Sequence, residues 1–253
     1  MPDRPIRAVV FDVGGTLLTF RATPEADRCY IAGTMALLEE HGIAVHREAA
    51  ELLSIIEAGA KRYKRFSEME LKELDPDTIW GSFILEELGF PKERFVGLGE
   101  PLSFLYDREK REIAPRPELR ETLEALRARG IRLAIISNVM STSFIPWFLR
   151  ENGLEEFFEE IQMSSLSHVR KPNPEMFDRC LNALKLTNLD VLYVGDTLSR
   201  DVRGARAAHW PVVQIDNPAV YHRDTAFVGQ VEPDAKITDL RELLTLVDSW
   251  PSR

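Results

Sequence analysis

Residues 6–11 (IRAVVF) form a continuous apolar, β-branched run, the pattern of a strand buried on both faces of a sheet. Four later runs look the same, at 131–136 (IRLAII), about 160–163, 191–194 (VLYV) and 211–215 (PVVQI). Helical patterns lie between them. In 117–129, Leu119, Leu123 and Leu126 keep i, i+4, i+7 spacing, and Gly130 stands where a helix stop belongs. In 174–184, Phe177, Cys180, Leu181 and Leu184 make an apolar stripe behind an Asn173 cap and a first-turn proline. Strand and helix in that rhythm predict an α/β fold, a parallel sheet with helices on both faces. Residues 239–250 read as a last surface helix.

The stretch from about 18 to 114 breaks the rhythm. It offers no convincing strand but four helical patterns. Thr23 caps one over 24–41, residues 47–66 supply a second, Asp75-Pro76 opens a third ending near Gly89, and a fourth falls around 93–106. This predicts a small helical domain at 19–114, inserted into a core made of 1–18 and 115–253, with hinges near 19–21 and 114–117. Trp80, Phe83 and Leu85 are expected in the inserted domain's own core, and Trp147 and Phe148 on a core helix. Repeats and low-complexity tracts are absent from the sequence.

Composition narrows the partners rather than the fold. Of 253 residues, 44% are hydrophobic and 29% charged, enough apolar mass for a core. The formal net charge is -9, so no overall basic field exists to hold nucleic acid or an anionic membrane. An anionic substrate would need local attraction instead. Cys29 and Cys180 are the only cysteines, which is no disulfide framework, and the polar, proline-containing start is unlike a signal segment. A cytoplasmic location is the expectation. No apolar stretch approaches the roughly 18–20 residues of a membrane span.

In an open parallel sheet, ligands bind beyond the carboxyl ends of the strands. Three expected strand ends carry polar groups there: Asp12 with the Gly14-Gly15-Thr16 turn, Ser137-Asn138, and Gly195-Asp196 with Asp201 five residues on. Lys171 follows the third strand. Each has a plain structural reading alone, as a turn residue, a cap or a solvated lysine. Together, however, three carboxylates at one sheet edge would repel unless a cation sat among them, and a hard ion with oxygen ligands, Mg²⁺ by default, suits the set. The glycine turn exposes N–H groups that suit phosphate oxygens, while Ser137, Asn138 and Lys171 add donors. A carboxylate nucleophile, a metal and a ring of donors make a phosphoryl-transfer constellation.

These residues resemble the haloacid dehalogenase-like hydrolase superfamily over nearly the whole chain. Its four motifs read here as FDVGGTL (11–17), ISN (136–138), KPNPEMF (171–177) and VGDTLSRDVRGARAA (194–208). The resemblance implies a Rossmann-like three-layer core, a helical cap of the C1 type, and hydrolysis of a small phosphorylated substrate through an aspartyl phosphate. It makes Asp12 the nucleophile and Lys171 the charge-balancing partner. Gly14, Gly15, Thr16, Ser137 and Asn138 would serve the phosphate. Asp12, Asp196, Asp201 and the Gly14 carbonyl would hold Mg²⁺.

One departure stands out. Phosphatases of this family carry a second aspartate two residues after the nucleophile, and this chain has Gly14. A positioned acid–base supplies roughly 10²–10⁴-fold in rate. The substrate's leaving group could need little protonation, a cap acid could donate the proton, or the protein could have become a weakly catalytic phosphate- or partner-binding module. Haloacid dehalogenases also lack that aspartate, but leave Asp196 and Asp201 unexplained. Phosphonate hydrolases need a cap lysine, for which Lys61, Lys64 and Lys72 are the candidates. The Asp-Val-Gly-Gly-Thr run is similar, too, to the phosphate loop of actin/hexokinase-type sugar kinases, which would require a strand meander directly afterwards. Arg21, His168 and the basic run Arg62–Arg65 read as solvated groups, with Arg21 and His168 as lesser candidates for the site and the run as a lesser attraction for a phosphorylated substrate.

Overall fold

In the first strand, Val9 and Phe11 face one apolar cluster and Ala8 and Val10 another, so burial on both sides explains the unbroken apolar run. The computed structural model describes residues 6–250; positions 1–5 and 251–253, the outer ends of the expected core segments, lie outside them. The strands are β1 (Ala8–Phe11), β2 (Leu18–Arg21), β3 (Glu112–Pro115), β4 (Arg132–Ser137), β5 (Glu160–Met163), β6 (Val191–Gly195), β7 (Val212–Ile215) and β8 (Ala235–Ile237). Six of them form one parallel sheet in the order β5-β4-β1-β6-β7-β8, with β1 hydrogen-bonded between β4 and β6.

The helices, in chain order, are α1 (Pro24–Glu40), α2 (Ala49–Glu70), α3 (Pro76–Ile79), α4 (Gly99–Glu109), α5 (Leu119–Ala128), α6 (Phe144–Glu151), α7 (Ser164–Ser167), α8 (Glu175–Leu184), α9 (Arg203–Ala207), α10 (Tyr221–Asp224) and α11 (Glu242–Asp248). One sheet face packs on α5, α6 and α11 through Leu123, Phe148 and Leu243. The other packs on α8 and α9 through Phe177, Cys180 and Ala205. This is the three-layer α/β architecture expected from the alternating pattern. Among the described residues, no helix is long and apolar enough to cross a membrane.

The helical stretch between β2 and β3 encloses a third cluster, in which Tyr30, Ile56, Trp80 and Leu102 are fully buried. Leu85 joins them, Phe83 packs against them half-buried, and Trp80 Nε1 donates to Ser103 Oγ at 2.8 Å. Thr23 caps α1 by accepting from Ala26 N, as the Thr-Pro signal implied.

Three expectations need correction. The hinge segments at 19–21 and 114–117 overlap strands: β2 and β3 pair antiparallel, Leu18 opposite Pro115 and Arg21 opposite Glu112. Four-residue strands whose partner lies so far along the chain leave too little periodicity to read. β2 lies outside the main sheet, so the meander of the sugar kinases is not formed. β8 was also unread, being three residues with a lysine in the middle. Finally, the expected third helix breaks after Ile79 into a wide turn at Trp80–Ile84 and a tight one at Glu86–Leu88. There the backbone of Ile84 lies against Gly59 of α2, so close that a Cβ at 59 would fall 2.3 Å from Ile84 O. Packing, not local propensity, sets this path.

Candidate active site

The carboxyl ends of β1, β4 and β6 deliver Asp12, Ser137 and Asp196 to one edge, where they line a cavity of ≈ 330 Å³ with Lys171 and Asp201. Lys171 is buried, not solvated, with its side chain 2% exposed. Its ammonium lies within hydrogen-bond distance of four oxygens, Asp12 Oδ1 at 2.6 Å, Asp201 Oδ1 at 2.7 Å, Tyr193 OH at 2.8 Å and Ile136 O at 2.9 Å, which its three N–H groups share. Asn138 clamps the same residue by its main chain, accepting from Lys171 N at 2.9 Å and donating to Lys171 O at 3.0 Å. That side chain is therefore engaged at both ends.

Asp12, Asp196 and Asp201 are all buried, and each offers an oxygen within 4.8 Å of the others. Asn217 donates to Asp196 Oδ2 at 2.7 Å, while Asp196 Oδ1 is buried without a partner among the described residues. A buried carboxylate oxygen left bare costs free energy comparable to a lost hydrogen bond, and a divalent cation among three carboxylates would satisfy it. The donor set is all oxygen, which fits Mg²⁺. Burial, then Asp201 and Asp12, push the Asp196 carboxyl up to about 8. Burial likewise raises Asp12 against the opposing Lys171. Asp201 lies below the usual carboxylate range despite its burial, because Lys171 and Arg200 favour its charge.

Gly15 is required twice. Its φ is +90°, and a Cβ there would lie 2.1 Å from Asp196 Oδ2. The glycine turn does not present all its N–H groups as expected. Gly15 N donates to Leu18 O at 2.8 Å and Thr16 N to Val13 O at 3.2 Å, closing the loop on itself. Neither residue lines the cavity, whereas Gly14, Ser137 and Asn138 do.

At position 14 the missing side chain has been replaced in space. An ideal Cβ there would lie 3.0 Å from the ring of Phe20 on β2, and Arg111 stacks over that ring at 4.4 Å. Across the cavity, Asp107 of α4 is the one carboxyl of residues 24–109 among its lining. Asp107 Oδ2 accepts from Ser141 N at 3.0 Å, and burial pushes its carboxyl up to about 7. Sequence reading could not single it out among the many acids of the insertion. Tyr193, Asn217, Arg200 and Arg223 were missed too. Asn217 lies two residues past the end of β7, so the strand-end rule applied to that strand would have pointed to it.

Other candidates fall away from the cavity. Arg21 pairs with Glu112 across the β2–β3 ribbon. His168 sets Nδ1 3.1 Å from Glu73 O, where the loop before Lys171 meets the inserted helices. Lys61, Lys64 and Lys72 are not among the lining residues. The basic run includes Arg62, which donates to Phe83 O at 2.8 Å.

Residues 6–209 match the family model described as haloacid dehalogenase-like hydrolase. The chain is 26% identical over 243 residues to a glyceraldehyde 3-phosphate phosphatase of Methanopyrus kandleri, covering 96% of this chain and 97% of that one. It is 32% identical over 163 residues to a phosphoserine phosphatase of Thermus thermophilus, covering 63% and 60%. A 2-haloacid dehalogenase from Pseudomonas syringae superposes with a TM-score of 0.68 at 21% identity, over 97% of this chain and 99% of that one. A phosphatase structure from Thermococcus onnurineus superposes with a TM-score of 0.61 at 22% identity, over 98% and 100%.

Proposed function

The chain belongs to the haloacid dehalogenase-like hydrolase family, and from that premise we propose that it is a Mg²⁺-dependent phosphatase that hydrolyses a small phosphorylated metabolite through a phosphorylated Asp12. Relatives named as phosphatases of glyceraldehyde 3-phosphate, phosphoserine and phosphoglycolate support the substrate class. The observation that carries the reading is the trio Asp12, Asp196 and Asp201 around one point, with Lys171 bridging two of them and Asp196 Oδ1 bare. A dehalogenase has no use for that trio, and no lysine of residues 24–109 lines the cavity to serve a phosphonate hydrolase.

Asp12, Asp196 and Asp201, with the Gly14 carbonyl, would hold Mg²⁺, which would offset charge on the phosphoryl oxygens. Lys171 occupies Asp12 Oδ1 and leaves Oδ2 to attack phosphorus. As the new O–P bond forms, the ester P–O bond breaks and its electron pair leaves on the substrate oxygen. Asp107 replaces the acid missing at position 14 by protonating that oxygen, a role its raised affinity for a proton suits. Asp107 then takes a proton from the water that attacks phosphorus, and the Asp12–phosphorus bond breaks, releasing inorganic phosphate and the Asp12 carboxylate. Ser137, Gly14 and Asn138 flank the phosphoryl group. On this reading residues 19–114 are a C1-type cap over a core of 1–18 and 115–253, and closing it keeps bulk water from Asp12.

Phosphate release from a panel of phosphomonoesters, with Mg²⁺ and with chelator, tests the proposal. Turnover that requires Mg²⁺ and is abolished in Asp12→Asn is expected. Turnover indifferent to chelator, or surviving Asp12→Asn, would overturn it.

A further inference from the structure

Four cations line the cavity: Arg111, Lys171, Arg200 and Arg223. Two are accounted for. Lys171 is paired with Asp12 and Asp201, and Arg111 stacks on Phe20. Arg200 and Arg223 have no ion pair within 4.0 Å and no side-chain hydrogen bond among the described residues, and Arg223 Nε is buried without a partner. Guanidinium groups removed from water normally find a carboxylate or another acceptor.

The two arginines are also held together. Arg200 sits in the turn Leu198–Val202 and Arg223 on α10. Asp224, next to Arg223, accepts from Leu198 N at 2.6 Å and Ser199 N at 3.1 Å, which ties the turn to α10. Asp224 thus spends its carboxylate on backbone amides. Burial, then the like charge of Arg200, hold Arg223 below the usual arginine range, and burial, then Arg223 and more weakly Arg200, lower Lys64 on α2. Asp201, Asp196 and Asp12 favour Arg200's charge, but these carboxylates are committed to Lys171 and, on the phosphatase reading, to Mg²⁺. Glu68 of α2 also favours both charges, but it is shared with Lys64 at 3.8 Å, so the corner remains cationic.

We propose that Arg200 and Arg223 form a second anion-binding subsite, which takes a carboxylate or second phosphate at the far end of the substrate. This deepens the phosphatase reading and rests on it: the substrate is a short phosphomonoester charged at both ends. A phosphoryl group seated at Asp12 would leave its tail within the same ≈ 330 Å³ cavity, which suits a small metabolite. Bidentate geometry makes arginine the residue suited to either anion.

Calorimetric titration with Mg²⁺ present tests this without turnover. The probes are 3-phosphonopropionate, propane-1,3-diphosphonate and propylphosphonate, matched at one end and differing in charge at the other. On the intact chain, at least one doubly anionic probe is expected to bind about tenfold or more tighter than propylphosphonate, as a charge-assisted pair supplies. The tighter of the two identifies carboxylate or phosphate as the group taken. In Arg223→Gln and in Arg200→Gln that ratio is expected to collapse toward one, with Arg223→Lys retaining part of it. Equal binding of all three probes, no binding of any, or a ratio unchanged in both glutamine variants would overturn the subsite. Should Arg200→Gln fail to fold, the two Arg223 variants decide. The probes are not hydrolysed, so failure here is distinct from failure of the phosphatase reading, which shows as absent Mg²⁺-dependent phosphate release.

Discussion

Lys171 has four acceptors within 2.9 Å and lies between two buried carboxylates, so its charge is structural as well as chemical. Lys171→Met leaves Asp12 and Asp201 facing each other uncompensated, and a stability loss of about 3–5 kcal/mol is expected in chemical denaturation. Mg²⁺ should restore part of it by supplying charge at the same point. Asp107 is expected to behave oppositely. Its folded-state value of about 7 lies above the ordinary 3.8, so the folded protein keeps a proton that the unfolded chain releases. Asp107 therefore lowers stability progressively as pH rises through that window. Asp107→Asn removes the titration, and its melting temperature relative to the parent should rise from about pH 5 to about pH 8. The same variant should slow alkyl phosphates by roughly 10²–10⁴-fold and p-nitrophenyl phosphate far less, since that leaving group needs no proton. Asp12 and Asp196 could be read from the sequence because a strand end dictates where its next residue goes, and Asp201 from its place five residues beyond Asp196. Asp107 and Arg223 could not, because each reaches the cavity through contacts between distant segments, and Arg200 could not because the side of its turn that faces the cavity has no signal in the sequence.

The two-stranded ribbon of β2 and β3 shapes the site more than its length suggests. It carries Phe20 into the space above Gly14, which makes glycine there part of the packing. Restoring an acid by Gly14→Asp should therefore cost about 1–3 kcal/mol through overpacking and leave alkyl phosphate turnover unimproved. Combined with Phe20→Ala, the strain should be relieved and turnover should rise; thermal unfolding and steady-state kinetics on both variants check this. The ribbon was illegible for the reason that made the central strands plain. A long apolar run announces burial on two faces, whereas LTFR and EIAP are too short to carry a period. Helix starts were better marked, since Thr23 and Asp75 cap α1 and α3 through their own side chains. The break after Ile79 arises from contact with Gly59 on another helix, which no local pattern encodes.

The helices between β2 and β3 meet the sheet's loops along polar seams. Glu100 of α4 accepts from Ser141 Oγ at 2.7 Å, Thr142 N at 2.9 Å and Ser143 N at 3.1 Å, holding the loop after β4. Glu73, buried, pairs with Arg170, one residue before Lys171, and accepts from Ser164 Oγ at 2.6 Å. The order of assembly differs on the two sides of these seams. The central strand β1 finds its neighbours only at Arg132 and Val191, so the middle of the sheet cannot close until most of the chain has been made. The buried members of the cluster around Trp80 all lie between Tyr30 and Leu102, although Met140 packs on its edge. During synthesis the insertion is therefore expected to gain structure while β1 still waits, since near-neighbour contacts form faster than distant ones. In refolding with pulsed hydrogen exchange, amides of α1 and α2 should be protected before those of β1; simultaneous protection would show that the helices wait for the sheet. Until β4 emerges, the apolar run that ends in Asp12 has no partner, and one of its two edges stays open until β6 follows; an unpaired strand of that kind is a target for chaperones and a seed for aggregation.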